Sequence, residues 1–550
     1  MLGRHLLPFT RRVTPKSRAQ DFWKDGEVFV WLTAAGVALT LLSIGGLLGL
    51  IMVLGLGEFW PADVVKLHLN NGQDVIGQLI NEEVIPHSAD PEHPRGRSRL
   101  RLRVGNRDIF GADFRWINAD DIASRTTPVG LVVLERREWG RMYGWVTTVR
   151  DADKVIAEGP TVLDTLSRLL DESNRLDAQI RQVERSEIGE LNSQLETIRQ
   201  QRHALVSKDP RLDQKAAQLE IEYQRVTETL DVLRHQATRY TLTVVLSNGR
   251  EVPLPLAQVI QVFRPNDMAW ISKLGAYLSN FWTFLSGEPR EANTEGGIFP
   301  AIFGTVMMVM IMTIVVMPFG VMAAVYLREY ARQGILVRLV RIAVNNLAGV
   351  PSIVFGVFGL GFFVYAAGGT IDQLFFADAL PNPTFGTGGI LWASLTLALL
   401  TVPVVIVATE EGLSAVPREF REGSLGLGGT KFQTLCHVIL PCALPGILTG
   451  LILAMARAAG EVAPLMLTGV VKLAPSLPVD GDFPFFHLDR KFMHLGFHIY
   501  DVGFQSPNVE AAKPMVYMTA LTLIIVVVGL NLLAVVIRNR VRKRYATSTV

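Results

Sequence analysis

Two side chains stand out because their surroundings make them costly to keep. Arg457 and Glu461 lie within ILTGLILAMARAAGEVAPLMLTG (447–469), a run otherwise apolar enough to enter a bilayer. A charge at the centre of a membrane helix costs on the order of 3 kcal/mol and is retained mainly where it faces a polar interior. Counting about 12 residues beyond Pro445 puts Arg457 roughly 18 Å along a helix axis, near mid-bilayer, with Glu461 one turn further on the same face. Two chemistries fit. One is a buried ion pair that orients helices; the other is a guanidinium fork offered to an oxyanion in competition with Glu461.

The polar segment before this run, EEGLSAVPREFREGSLGLGGTKFQTLCHVILPCALPG (410–446), has helix signals of its own. Pro417 starts a helix through Leu427, Gly428-Gly429 ends it, and KFQTLCHVILP starts another that is expected to stop at Pro441 and Pro445. The product would be a rigid knob with a glycine hinge, although composition alone equally allows an ordinary interhelical loop.

These residues need elements to hold them. At 550 residues the chain exceeds one compact core, and 49% hydrophobic content with positive mean hydropathy is high for a soluble protein. Six runs approach or exceed the roughly 20 residues that cross a bilayer: 29–54, 299–326, 347–368, 390–409, 447–470 and 515–537. Arg4, Arg11, Arg12, Lys16, Arg18 and Lys24 precede the first run, which is too long for a cleaved signal peptide and reads as a retained anchor. Arg328, Arg332, Arg338 and Arg341 follow the second, and Arg538, Arg540, Arg542, Lys543 and Arg544 follow the sixth. The positive-inside rule then puts both termini and the 410–445 loop in the cytoplasm of a cell bounded by an inner membrane, with residues 57–298 in the periplasm.

Within 57–298, VVKLHLNNGQDVIGQL and TLTVVLSNGREVPLPL each read as a hairpin, about Asn71-Gly72 and Asn248-Gly249. RLRLRVGNRDIF (99–110) reads as a weaker third, so a small β domain with an internal repeat is expected. Between them, residues 161–237 carry apolar positions at spacings of three and four, a heptad seam that predicts an antiparallel helical hairpin broken at Ser207 to Pro210. At 1.5 Å per residue its first arm would reach on the order of 65 Å. Its bland role is a spacer or docking arm.

Other chemistries are poorly supported. Cys436 and Cys442 give neither a disulfide framework nor a zinc pattern. His494 and His498 are one turn apart without an obvious third ligand, and the Phe-rich segment around them suggests an amphipathic stretch at the membrane interface. Gly428-Gly429-Thr430-Lys431 has its lysine after the threonine, the wrong frame for a phosphate-binding P-loop. There is no nucleophile elbow or metalloprotease helix.

Glu422-Gly423-Ser424, three residues, Gly428, nine residues, then Val438-Ile439-Leu440-Pro441 resembles the EAA loop of ABC importer permeases at every spacing. It departs from that pattern at Gly423, Ser424 and Val438, which keep side chains small or β-branched. LAGVPSIVFG (347–356), YLREYA (326–331) and LTGLILAMARAAGEVAPLMLTG (448–469) resemble the PstA-type permeases of bacterial phosphate importers, over about half the chain; the N-terminal half resembles an extension that some of them carry. The resemblance implies a polytopic α-helical membrane protein, a six-helix type I ABC importer permease with an inserted extracytoplasmic domain of β structure plus a helical hairpin. Its parts would be 1–56, a cytoplasmic N-terminus and first span; 57–298, the inserted domain; and 299–550, the permease core.

Under this resemblance Glu422, Gly423, Ser424, Gly428, Val438, Leu440 and Pro441 engage a separate ATPase, while Arg457 and Glu461 line the phosphate path. The implied partners are a PstC-like second permease, a PstB-like ATPase pair holding Mg-ATP, a PstS-like periplasmic phosphate-binding protein and the lipid bilayer. No cofactor is expected in this chain, and ATP hydrolysis belongs to the partner. Two rivals stay open: another oxyanion such as molybdate or sulfate as cargo, and a membrane-anchored envelope sensor or scaffold.

Overall fold

A computed structural model describes residues 27–85, 97–152, 154–204, 210–481, 483–506 and 509–546. The basic N-terminal residues Arg4 to Lys24, and Ser207 to Asp209 of the expected helical break, lie outside them. Six helices among the described residues are long and apolar enough to cross a membrane.

The first, α1 (Glu27–Leu56), is apolar all round and exposed along most of its length, touching the remainder near Ile51 and at Gly55, which lies against Met518. Beyond it, β1 (Val64–Leu69), β2 (Asp74–Val84), β3 (Ser98–Arg103), β4 (Phe114–Asn118) and β5 (Ile122–Thr126) form an antiparallel sheet ordered β4-β3-β2-β1-β5. A second sheet contains β6 (Val132–Arg136), β7 (Arg141–Asp151), β8 (Lys154–Glu158), β9 (Tyr240–Val245), β10 (Glu251–Pro255) and β11 (Val259–Phe263). Its order is β10-β9-β7-β6-β11, with β8 on β7.

Both Asn-Gly hairpins form, since Gly72 and Gly249 supply the positive φ of 81° and 77° that a side chain would resist. They sit in different sheets, so the apparent repeat is one hairpin per sheet rather than a duplicated small domain. The third hairpin is corrected: β3 pairs with β4, because Arg107–Phe110 coils into a helical turn behind a left-handed Asn106. That asparagine is held by its side chain, which accepts from the Tyr143 backbone N–H at 3.0 Å and donates to the Tyr143 carbonyl at 3.2 Å. Tyr143 also packs with Val64, Ile76, Leu131 and Val133, joining the two sheets into one core.

Helix α2 (Val162–Gln182) runs through a π turn into α3 (Ile188–Ala204), which pairs with α4 (Pro210–Ala237). Leu191, Ile198 and Leu219 are buried along that seam, while Leu166 at the base of α2 joins the β core. Helix α5 (Trp270–Ser286) follows, and a two-residue ladder of Pro289–Arg290 with Glu295–Gly296 leads into the second span.

That span is α6 (Phe299–Val325), extended by a π turn to Tyr330. An amphipathic helix, α7 (Ile335–Leu347), precedes the third span, α8 (Ser352–Phe375), which begins five residues later than expected because Pro351 starts a helix instead of continuing one. The most buried span is α9 (Ile390–Ser414), packed on α6 through Met308, Met312, Val316 and Leu397. Then come α10 (Arg418–Gly426), the fifth span α11 (Lys431–Gly460), α12 (Ala463–Thr468), α13 (Leu495–Tyr500) and α14 (Val509–Ala546).

Two helices meet closely because their contact residues are small: Gly446 lies against Gly412, and a Cβ on Gly450 would come within 2.3 Å of the Ala408 Cβ. The segment at His494 is not the surface layer the sequence suggested. Phe483, Phe485 and Phe486 are exposed, but Phe492, His494 and His498 are buried, with the Leu495 amide donating to Thr305 Oγ1 at 2.9 Å. No group of three metal-ligating side chains occurs among the described residues.

Candidate functional site: an exposed helix and a charged helix end

The 410–446 segment leaves α9 at Ser414 and turns at Pro417 into α10, none of whose residues is buried. Gly428, at φ 86°, reverses the chain, and Gly429 presses on the Ser424 carbonyl where a Cβ would approach to 2.9 Å. Ser424 Oγ and Thr434 Oγ1 share a hydrogen bond of 2.9 Å, closing the turn. Thr430 caps the next helix through a capping box with Gln433.

This next helix does not stop at Pro441 or Pro445, contrary to expectation. A π turn at Leu435–Ile439 widens the coil just before Pro441, whose ring and missing N–H would disrupt a regular α turn, and the helix continues to Gly460. The knob is therefore one short helix, α10, set against the root of a membrane span. Glu422, Gly423 and Gly428 are exposed; Val438, Leu440 and Pro441 are half-buried beside the Leu413, Val416, Leu435 and Ile439 cluster.

Arg457 lies in the last turn of α11, not in the middle of a span running to Val470. The helix ends at Gly460, where Pro464 cannot donate to the Gly460 carbonyl, and Glu461 is extended with ψ 134°. The pair consequently meets across a helix end rather than along one face, with Arg457 Nε 3.5 Å from Glu461 Oε1 and both side chains partly exposed. Glu461 is the one charged partner of Arg457 among the described residues. Pro464 opens α12 and packs on Gly356 of α8, while the break itself, at Gly460 and Glu461, is exposed or half-buried. From Val438 to Arg457 is roughly 28 Å along one helix.

Two ion pairs beside α10 were not foreseen. Arg421 Nη2 donates to Glu329 Oε1 at 2.8 Å, and Arg341 Nε to Glu410 Oε1 at 3.2 Å, joining residues 92 and 69 positions apart. Glu329 stands in YLREYA, a segment notable in sequence for its likeness alone.

Six helices long and apolar enough to cross a membrane, with the exposed helix α10 between the fourth and fifth, have the layout of an ABC transporter permease. The family described as binding-protein-dependent transport system inner membrane component matches residues 316–546. Phosphate transport system permease protein PstA 1 of Mycobacterium tuberculosis (strain ATCC 25618 / H37Rv) is 36% identical over 261 residues, 47% of this chain and 75% of that one. The probable phosphate transport system permease protein PstA of Methanocaldococcus jannaschii is 34% identical over 200 residues, 36% and 63% of the two chains. A solved inward-facing MetNI methionine ABC transporter aligns with a TM-score of 0.32 at 19% identity, covering 44% of this chain and 94% of that one. The chain belongs to the PstA family of ABC transporter permeases.

Proposed function

We propose that this chain forms half of the translocation pathway of an ATP-driven inorganic phosphate importer. The observation that carries the reading is the continuity of α11, which joins the exposed Glu422–Gly428 segment at its root to Arg457 at its far end. ATP binding closes a partner ATPase pair, the 410–445 segment is pulled, and the pathway opens outward past Arg457. Its planar donor fork, tied to one carboxylate at 3.5 Å, exchanges Glu461 for a phosphate oxyanion and back as the cycle resets.

Both termini are cytoplasmic in this reading, the membrane is the bacterial inner membrane, and residues 57–298 form a periplasmic domain between the first span and the permease core at 299–550. The nucleotide and its Mg²⁺ stay on PstB-like subunits, a PstC-like permease supplies the other half of the pathway, and a PstS-like protein delivers phosphate. The chain itself carries no cofactor. Arg457→Gln keeps a polar side chain and removes the charge and the guanidinium fork; in proteoliposomes holding the whole assembly it is expected to leave subunit recovery unchanged and abolish phosphate uptake. Uptake near the parent rate would make Arg457 a structural residue. The same vesicles, offered molybdate or sulfate as competitors, separate phosphate from its oxyanion rivals.

A further inference from the structure

The helix that would meet an ATPase is barely attached to the protein carrying it. Helix α10 buries none of its residues, and Phe420, Leu425 and Leu427 are exposed around it. Its backbone leads to α9 on one side and α11 on the other, so no covalent route takes a displacement of α10 directly to α6. Arg421 supplies a non-covalent one. Its guanidinium holds Glu329 at the end of the second span (2.8 Å) and the Leu413 carbonyl at the end of the fourth (2.9 Å), with both charged side chains about four-fifths buried. A charge-assisted bond of this kind transmits a pull as well as a push, and partial burial shields it from salt.

We infer that the Arg421–Glu329 bridge is the strut through which movement of the coupling helix reaches α6, making both positioning residues of the transport cycle. This rests on the importer reading. At its other end α6 begins beside the ladder that ties it to the β region, so the strut would put the outer domain and the coupling helix on one helix.

The test uses the complete assembly in proteoliposomes, with phosphate uptake and ATP hydrolysis measured together, and spin labels on Leu425 and Tyr330 of the same chain. Arg421→Met and Glu329→Gln are each expected to keep the ATPase bound and hydrolysing while phosphate moved per ATP falls at least tenfold. The label-to-label distance distribution should broaden about twofold. The reversed pair E329R/R421E should recover at least a third of the lost coupling. Unchanged coupling and distance width in the single variants would overturn the strut, as would a reversed pair worse than either single change. Failure of the importer reading shows instead in the parent, which would bring down no ATPase; the distance widths still decide whether the bridge holds α10 to α6.

Discussion

Glu295 sits in the ladder between the β region and α6, lining a cavity of about 160 Å³ with Glu58, Arg103, Arg141 and Arg290. Burial, then the carboxylates of Glu135 and Glu291, push its pKa up to about 7. Between the ordinary value of 4.5 and 7 the folded chain holds a proton that the unfolded chain has released, so stability falls as pH rises through that window. Glu295→Gln should therefore match the parent below pH about 4.5 and exceed it above pH about 7, by on the order of 3 kcal/mol. Thermal unfolding in detergent across that range reads the difference, and a constant offset at all pH values would remove Glu295 as its source.

At the scale of elements, α10 depends on the left-handed turn at Gly428. Gly428→Val forces a β-branched side chain into φ 86°, at a local cost of about 1–2 kcal/mol, and should release the ATPase on co-purification without unfolding the spans. A complex indifferent to that change would count heavily against α10 as the contact. Gly450→Val tests the neighbouring contact: its Cβ has no room beside Ala408, so α9 and α11 must separate, costing about 1–3 kcal/mol of overpacking. A melting temperature equal to the parent's would show that the two helices yield without strain.

Much of this was legible in the sequence. The Glu422–Gly428–Pro441 spacing was readable because its residues lie within one local segment, and both Asn-Gly hairpins were readable because a two-residue turn carries its own conformational demand. The end of α11 at Gly460 had a signal in Pro464, but Pro318, Pro403 and Pro445 lie inside helices that continue, so proline alone does not decide. The bridges from Arg421 and Arg341 had no local signal, since their partners are brought close by packing of whole spans.

At the scale of the whole molecule, α6 starts beside the β region at Phe299 and ends against α10 at Glu329, which puts the β region and α10 at opposite ends of that span. If the β region is periplasmic, single cysteines at exposed positions of α4, such as Ile221 or Val232, should react with an impermeant thiol reagent on intact cells stripped of their outer membrane. Labelling confined to lysed cells would invert the topology. The π turn at Leu435–Ile439 also relates those two ends. A π turn fits one residue more into about the arc of an α turn, so it takes up that residue while the helix on either side stays nearly in phase. Removing His437 alone would therefore leave Arg457 near its present bearing but return the segment before Pro441 to α geometry, where the proline ring and its missing N–H would strain the root of the span.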